Sequence, residues 1–193
     1  QAGRRREALT MARRIEYTGP PVLTLEQVAY QCRAEPEDLQ PELIDQIIIP
    51  GVTSQGESKT GAAIREAIYE EDWPQHYPSG HPLDIGQVVA VESVLLLGDG
   101  GQGIPFTGPS ELSRGGKESY LHFPSGRPHG RLRIRYRAGV DVAAYPGVLS
   151  WLLMAAETAF TQRGMLVVGQ SLAEMPSSYL DHLLADITVP PRF

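Results

Sequence analysis

The sequence predicts an α+β fold, in which about four helices form a helical core and a block of β-strands is inserted between the second and third helices. Three patterns support this prediction: helical spacing of apolar residues at about 24–60, alternation with a period near two at about 63–137, and helical spacing again at about 146–186. A chain of 193 residues is long enough to bury a core of its own.

The first helix is predicted from its N-terminal cap. Thr24 and Gln27 have the spacing of a capping box, in which each side chain bonds to the backbone N–H of the other residue. Apolar residues then recur at helical spacing and carry the helix to about Arg33; they are Leu25, Val28, Ala29 and Cys32. The polar segment Glu35–Asp38 separates this helix from the next.

The second helix is predicted to begin near Pro41, because proline is tolerated in a first helical turn. Its apolar stripe consists of Leu43, Ile44, Ile47 and Ile48. Pro50-Gly51 falls inside the helix, and since proline lacks an N–H and clashes with the preceding turn, we expect a kink or a split there. Thr60-Gly61 closes the helix, with glycine supplying a left-handed cap.

The strand block begins where the apolar period shortens, with a first strand at about 64–73. Residues 85–97 are rich in valine and predict one long or two short strands. Residues 98–116 are rich in Gly, Pro and Ser and are expected to form a long loop, poorly packed in its own subunit. A short strand follows at 120–123, and clean alternation at 132–137 predicts a half-buried strand with arginines on its outer face.

Two further helices are predicted near the C-terminus. Pro146 opens the first of them, which runs to about residue 163 and is ended by Gly164. The last helix follows Pro176-Ser177-Ser178 and has one leucine-rich face. Residues 187–193 form a separate C-terminal tail, because Pro190-Pro191 favours an extended conformation over a helix.

Charge is distributed unevenly. The net charge is −6, whereas the first 14 residues carry +4 and the rest −10. We assign residues 1–20 to a basic N-terminal arm, and its arginines are candidates for contact with DNA or an acidic partner: Arg4, Arg5, Arg6, Arg13 and Arg14. A solvated terminus is the commoner explanation of such a run, and Met11 could also be a natural start. The acidic remainder argues against tight general binding to DNA.

The residues that most often carry chemistry form no recognisable site. A single cysteine, Cys32, excludes an internal disulfide framework, and the five histidines have no metal-binding spacing. Gly98–Gly103 lacks the ending of a phosphate-binding loop, and Glu70–Asp72 is most simply a solvated edge. We therefore predict no catalytic residue, no cofactor and no metal site. No apolar run approaches the roughly 20 residues that span a membrane.

Several short motifs recur in an order that points to one family. They are Leu23–Val28, Leu43–Ile48, Thr60-Gly61, Arg135–Val140 followed by Pro146, and Tyr179–Leu184. In this order the chain resembles, over residues 21–193, the head–tail connector (adaptor) proteins of tailed bacteriophages, and we call residues 21–186 the connector domain. Pro50-Gly51 and the Gly/Pro-rich region 98–130 depart from the family pattern.

The resemblance implies a structural role and no enzymatic activity. Connector proteins form closed rings, often dodecamers, beneath the portal protein of the head, and a stopper or tail-completion protein binds the ring below. DNA passes through the lumen without sequence-specific binding. The expected location is the neck of the virion, with assembly in the host cytoplasm. Two alternatives remain: another neck or tail-completion protein, or a small ligand-binding domain or enzyme.

The resemblance also suggests which residues contact partners. Relatives commonly use C-terminal segments to grip the portal, so the portal-binding candidates are Ile187, Val189, Pro190, Pro191, Arg192 and Phe193. Candidates for the lumen or for contact between subunits lie in or next to the long loop: Asp99, Gly100, Gln102, Arg114 and Lys117. Because the body of the chain is acidic, we expect mainly acidic or neutral side chains along the lumen.

Overall fold

The computed structural model describes residues 11–98, 100–164 and 177–191. In these ranges the helices are α1 (Leu25–Cys32), α2 (Pro41–Leu43, Ile44–Ile48 and Ile49–Thr60 in succession), α3 (Pro146–Gly164) and α4 (Ser177–Leu184). The strands are β1 (Arg13–Tyr17), β2 (Ala67–Trp73), β3 (His81–Pro82), β4 (Val88–Leu97), β5 (Gly103–Pro105), β6 (Glu111–Arg114), β7 (Ser119–His122) and β8 (Arg131–Ala138). The predicted α+β class is confirmed, because a block of strands separates α2 from α3. No helix in the described ranges has both the length and the apolar character needed to cross a membrane.

The cap of α1 forms as predicted. The Thr24 hydroxyl accepts a hydrogen bond from the Gln27 backbone N–H at 3.3 Å, and the Gln27 side-chain oxygen accepts one from the Thr24 N–H at 2.9 Å. This reciprocal pair satisfies two donors that the helix start would otherwise leave open. The helix ends at Arg33, which adopts a left-handed conformation with φ of 54°.

The second helix is not split at Pro50-Gly51, in contrast to the prediction: the backbone of α2 is helical both before and after these two residues. The irregularity lies one turn earlier, where Ile44–Ile48 is π-helical and the Ile49 N–H bonds to the carbonyl five residues back. Pro50 cannot donate to the preceding turn, and we attribute the wider turn to that missing donor. The predicted glycine cap is confirmed at Gly61, with φ of 68°.

Five antiparallel strands form the larger sheet, in the order β1-β2-β8-β4-β5. The central strand, β8, alternates as predicted: its arginines lie on one face, and Leu132, Ile134, Tyr136 and Ala138 are buried on the other. The region predicted as one or two strands forms a single long strand, β4.

β1 corrects the boundary of the N-terminal arm. The sequence places residues 1–20 in a separate basic arm, whereas Arg13–Tyr17 is an edge strand that pairs with β2. The chain then stays on the sheet, because the N–H groups of Thr18 and Gly19 both bond to the Glu66 carbonyl, at 2.9 and 3.0 Å. At least the second half of the expected arm is therefore part of the folded body.

The region 98–116 is also more regular than predicted. It contains β5, which pairs with the end of β4, and β6, which belongs to a three-stranded sheet of order β3-β7-β6. Most side chains between residues 100 and 116 are nevertheless exposed. The segment is thus an ordered projection that adds little to the core of its own chain.

Two hydrophobic clusters hold the fold together. One joins the helices through residues such as Val28, Ile44 and Leu152, and the other lies beneath the sheets around Trp73 and Tyr136. The segment that leaves α2 passes between them: Ala62 and Ile64 belong to the helical cluster, and Ala63 belongs to the sheet cluster. This segment fixes how the helices sit against the strands.

Candidate functional site

A buried carboxylate lies within the larger sheet, on the face that covers the core. Glu71 of β2 is 3% exposed. Its Oε1 accepts a hydrogen bond from Trp73 Nε1 at 2.5 Å, and its Oε2 accepts bonds from the Tyr136 hydroxyl at 2.7 Å and the Asp84 backbone N–H at 3.0 Å. These three donors are neutral, so they satisfy the oxygens without compensating the charge.

This environment favours the protonated acid. Burial and, to a lesser extent, the negative charge of Asp84 raise the pKa of Glu71, the three hydrogen bonds act in the opposite direction, and the net result is a pKa of about 7. Burial and the charge of Glu71 likewise raise the pKa of Tyr136 well above its usual value. A carboxyl group of raised pKa often marks a catalytic site. Here it is closed to solvent, and it fastens the segment between β3 and β4 to the sheet.

The outer face of the same sheet is charged. We define the arginine face as Arg131, Arg133, Arg135 and Arg137 of β8 together with Arg13 of β1. Arg133 bonds both oxygens of Asp72, at 2.7 and 3.0 Å. The prediction that Glu70–Asp72 is a solvated edge is therefore wrong: Glu71 is buried, and Glu70 and Asp72, whose side chains are 15% and 16% exposed, pair with arginines.

The N-terminal arginines that the structure describes are bound within their own chain. Arg13 pairs with Glu70 at 2.7 Å, and Arg14 pairs with Glu57 at 2.7 Å while its guanidinium lies 4.1 Å from the centre of the Tyr17 ring. Of the other arm candidates, Arg4, Arg5 and Arg6 lie outside the described residues. Contact of the arm with a partner stays a prediction.

The loop candidates do not converge on one site. Arg114 donates a hydrogen bond to the Val89 carbonyl and so ties β6 to β4. Gly100, Gln102 and Lys117 are exposed, and Asp99 lies outside the described residues. The turn itself is closed by the Gly98 N–H, which bonds to the Gln102 carbonyl at 2.9 Å.

The C-terminal candidates divide into buried and exposed groups. Ile187 is 0% exposed within the helical cluster, so its side chain serves the core and is withdrawn from the portal-binding candidates. The Val189 N–H bonds to the Thr60 carbonyl at 2.7 Å, which fixes the tail against the end of α2. Pro190 and Pro191 are exposed beyond this point. Arg192 and Phe193 lie outside the described residues.

Sequence reasoning missed several exposed apolar side chains. Tyr30 is 89% exposed on α1, Ile104 is 65% exposed on β5, and Ile47 is 62% exposed on α2. The periodicity that places Val28 inside would have placed Tyr30 outside. Ile47 was assigned to the apolar stripe, and the π-helical turn moves it off the buried face. Exposed aromatic and aliphatic groups of this kind are typical anchors of protein interfaces.

The remaining candidates for chemistry are possible metal ligands and the thiol of Cys32. No group of three or more His, Cys, Asp or Glu side chains within residues 11–98, 100–164 and 177–191 is arranged to hold a metal ion. Cys32 packs beside the helical cluster, as predicted, and burial raises the pKa of its thiol. A low thiol pKa is what reactive cysteines require, so the environment of Cys32 opposes reactivity.

Comparison with known proteins gives matches at the level of structure. No family model matches the sequence, and no curated protein matches it. The fold is similar to that of a chain in the neck of an empty gene transfer agent (GTA) particle computed with C6 symmetry: the TM-score is 0.72 at 16% identity, covering 95% of this chain and 97% of the other. A chain of the virion of a native GTA particle gives 0.69 at 16% identity, covering 94% and 97%.

A third similar chain comes from the neck of a native GTA particle computed with C12 symmetry, with a TM-score of 0.62 at 12% identity and coverage of 93% and 98%. The likeness therefore extends over nearly the whole of each chain. At these identities it establishes a shared fold.

Proposed function

We propose that this protein is a structural subunit in the neck of a tailed phage or a phage-like particle, where it joins the portal of the DNA-filled head to the stopper or tail. The observation that carries this proposal is the shared fold, which covers 95% of this chain and 97% of a chain from a GTA neck. The ordered sequence motifs support the same assignment independently. The closed environment of Glu71 supports a role without catalysis.

Within this role the protein forms a ring of identical subunits, with twelve copies as the proposed number. Similar chains occur in necks computed with C6 and C12 symmetry. A ring requires two different surfaces on each subunit, because every copy contacts one neighbour on each side. Tyr30 and Ile47 on the helices and Ile104 on the projection between β4 and β6 are among the exposed apolar groups that could make such contacts.

The tail is the proposed contact to the portal. Val189 is fixed to the end of α2, so the residues after it leave the body from a defined point. Two successive prolines stiffen the chain and reduce the entropy lost on docking. Arginine and aromatic side chains are frequent interface anchors, which makes Arg192 and Phe193 the strongest candidates.

The proposal is tested by measuring assembly with the portal protein of the same particle. The purified chain, alone and mixed with portal, is examined by native mass spectrometry and negative-stain electron microscopy. We expect a closed ring of many copies stacked on the portal, with a central opening wide enough for DNA. A chain that stays monomeric under both conditions contradicts the proposal, and a bound small molecule in that monomer would favour a ligand-binding domain.

Variants on the projection sharpen the test. Ile104→Asp places a charge on an exposed apolar position, and Thr107→Asp, also exposed, introduces the same charge nearby. Loss of the ring with the first variant and its retention with the second would support the projection as a contact between subunits. Assembly on the head but away from the portal would indicate a different neck or tail-completion protein.

A further inference from the structure

The arginine face combines regular spacing with exposed cationic groups. Residues two apart on a strand lie about 6.8 Å apart, so the four arginines of β8 extend over about 20 Å. Phosphates on one strand of duplex DNA advance by about 3.4 Å along the axis and also wind around it, so a straight row of this length contacts only those phosphates that face it. The guanidinium group is also suited to bidentate contact with phosphate.

Each arginine of this face is already paired with a carboxylate of the same chain. The partners are Glu70 for Arg13, Asp72 for Arg131, Glu70 and Asp72 for Arg133, Glu16 for Arg135, and Glu66 and Glu92 for Arg137, at 2.7 to 3.7 Å. Five positive charges therefore face five negative charges among the described residues. The face as a whole is neutral.

Some arginines of this face are more exposed to solvent than the carboxylates that pair with them. Side chains of Glu70 and Asp72 are 15% and 16% exposed, whereas those of Arg13, Arg131 and Arg133 are 69%, 60% and 33% exposed. A molecule that approaches this part of the sheet meets guanidinium groups before carboxylates. Arginines at the surface keep donors free to bind a second acceptor, since each guanidinium carries five N–H groups.

We propose that the arginine face is a contact surface for the phosphate backbone of duplex DNA, held in a weakly binding state by the carboxylates that pair with its arginines. A phosphate that approaches must compete with these carboxylates, so each contact is short-lived. In a neck, DNA could then move along the face without being retained. That consequence rests on the proposed function, whereas the latent affinity for phosphate is a property of the isolated chain.

The test is to remove the competing charges and measure binding to duplex DNA by fluorescence anisotropy. Glu70→Gln with Asp72→Asn keeps the side-chain shapes and removes two negative charges. The slope of log K against log salt concentration should steepen by about 1.8, since each phosphate contact contributes about 0.9. Between about 50 and 200 mM salt the variant should therefore lose about 12-fold more affinity than the wild type.

A matched control separates this effect from net charge. Glu37→Gln with Asp45→Asn removes the same two charges from exposed positions on the helical side of the molecule. The proposal requires the control to keep the wild-type salt slope. It also requires Arg131→Gln with Arg133→Gln, added to the sheet variant, to cancel the gain, because both arginines pair with Asp72 in the wild type. A sheet variant that binds DNA no better than the control overturns the proposal.

The measurement remains decisive if the double variant does not fold, which circular dichroism would show. Glu16→Gln then replaces it, because Glu16 is 60% exposed and is the carboxylate paired with Arg135, and the slope should steepen by about 0.9. An unchanged slope overturns the proposal in that case. Binding is measured on the isolated chain, so failure here leaves the neck assignment intact, and failure to form rings leaves the DNA result intact.

Discussion

Replacing Glu71 by glutamine removes the buried charge from the sheet and keeps the shape of the side chain. The pKa of Glu71 is about 7 in the fold, against an ordinary value of 4.5. Each pKa unit corresponds to about 1.4 kcal/mol. The ionised carboxylate therefore lowers the free energy of unfolding by roughly 3 kcal/mol at pH values above 7.

The direction of the pH effect follows from proton binding. The native protein holds the Glu71 proton more tightly than the unfolded chain does, so the acid's contribution to stability is complete below about pH 4.5. It is lost as the pH rises to about 7, because the native carboxyl must then ionise in its buried site. Between about pH 4 and pH 8 the wild type should lose roughly 3 kcal/mol relative to Glu71→Gln.

Urea unfolding followed by far-ultraviolet circular dichroism measures this difference at each pH. Comparing the two proteins at every pH cancels the titration of groups that they share. Asp84→Asn serves as a second variant, because it removes the neighbouring charge that raises the pKa of Glu71. The pKa of Glu71 should then lie closer to its ordinary value, and the pH range over which this carboxyl changes the free energy of unfolding should narrow. A difference in free energy of unfolding between wild type and Glu71→Gln that stays constant from about pH 4 to about pH 8 would refute the reasoning. So would a wild type that gains stability with rising pH, because the three hydrogen bonds would then outweigh burial.

Three further predictions concern packing, capping and the tail. Gly86→Ala should destabilise the folded protein by about 1–3 kcal/mol, because the new Cβ would lie 2.7 Å from Val189 Cγ2. Gly51→Ala is the matched control: a Cβ there would have nothing within 4 Å, so thermal melts should show a neutral or slightly stabilising effect. Thr24→Ala should cost about 1 kcal/mol in urea unfolding through loss of the α1 cap; an unchanged midpoint would contradict the capping argument. Truncation after Val189 should leave the melting temperature unchanged and abolish attachment to portal-bearing heads, and normal attachment would exclude residues 190–193 as the anchor.

The elements that the sequence predicts well are those determined by neighbouring residues. The capping box of α1 depends on Thr24 and Gln27, three positions apart, and it forms as expected. The alternation of β8 is complete within eight residues and gives the buried face directly. The end of α2 at Gly61 could be predicted because it depends on the left-handed conformation of that one glycine. Local patterns thus account for the fold class and for most element positions.

Features that depend on distant parts of the chain were missed. β1 exists because it pairs with β2, more than 50 residues later, and nothing in its own sequence alternates clearly. Glu71 is buried because Tyr136, 65 residues away, lies beside it. The exposure of Ile47 reflects a π-helical turn that a regular 3.6-residue period cannot represent. Of the candidate contacts, Ile187 was misassigned because apolar character alone does not distinguish a core residue from an anchor.

The strand order of the larger sheet has a consequence for how the protein is made. β8 lies between β2 and β4, so the centre of the sheet is synthesised after its neighbours. The ribosome adds about 5–20 residues per second, so at least 2 s pass between completion of β4 and completion of β8. During that time β2 and β4 present open edges, which are sites of aggregation. Expression at low temperature or with chaperones that bind nascent chains should therefore raise the soluble yield more than it would for a sheet assembled in chain order.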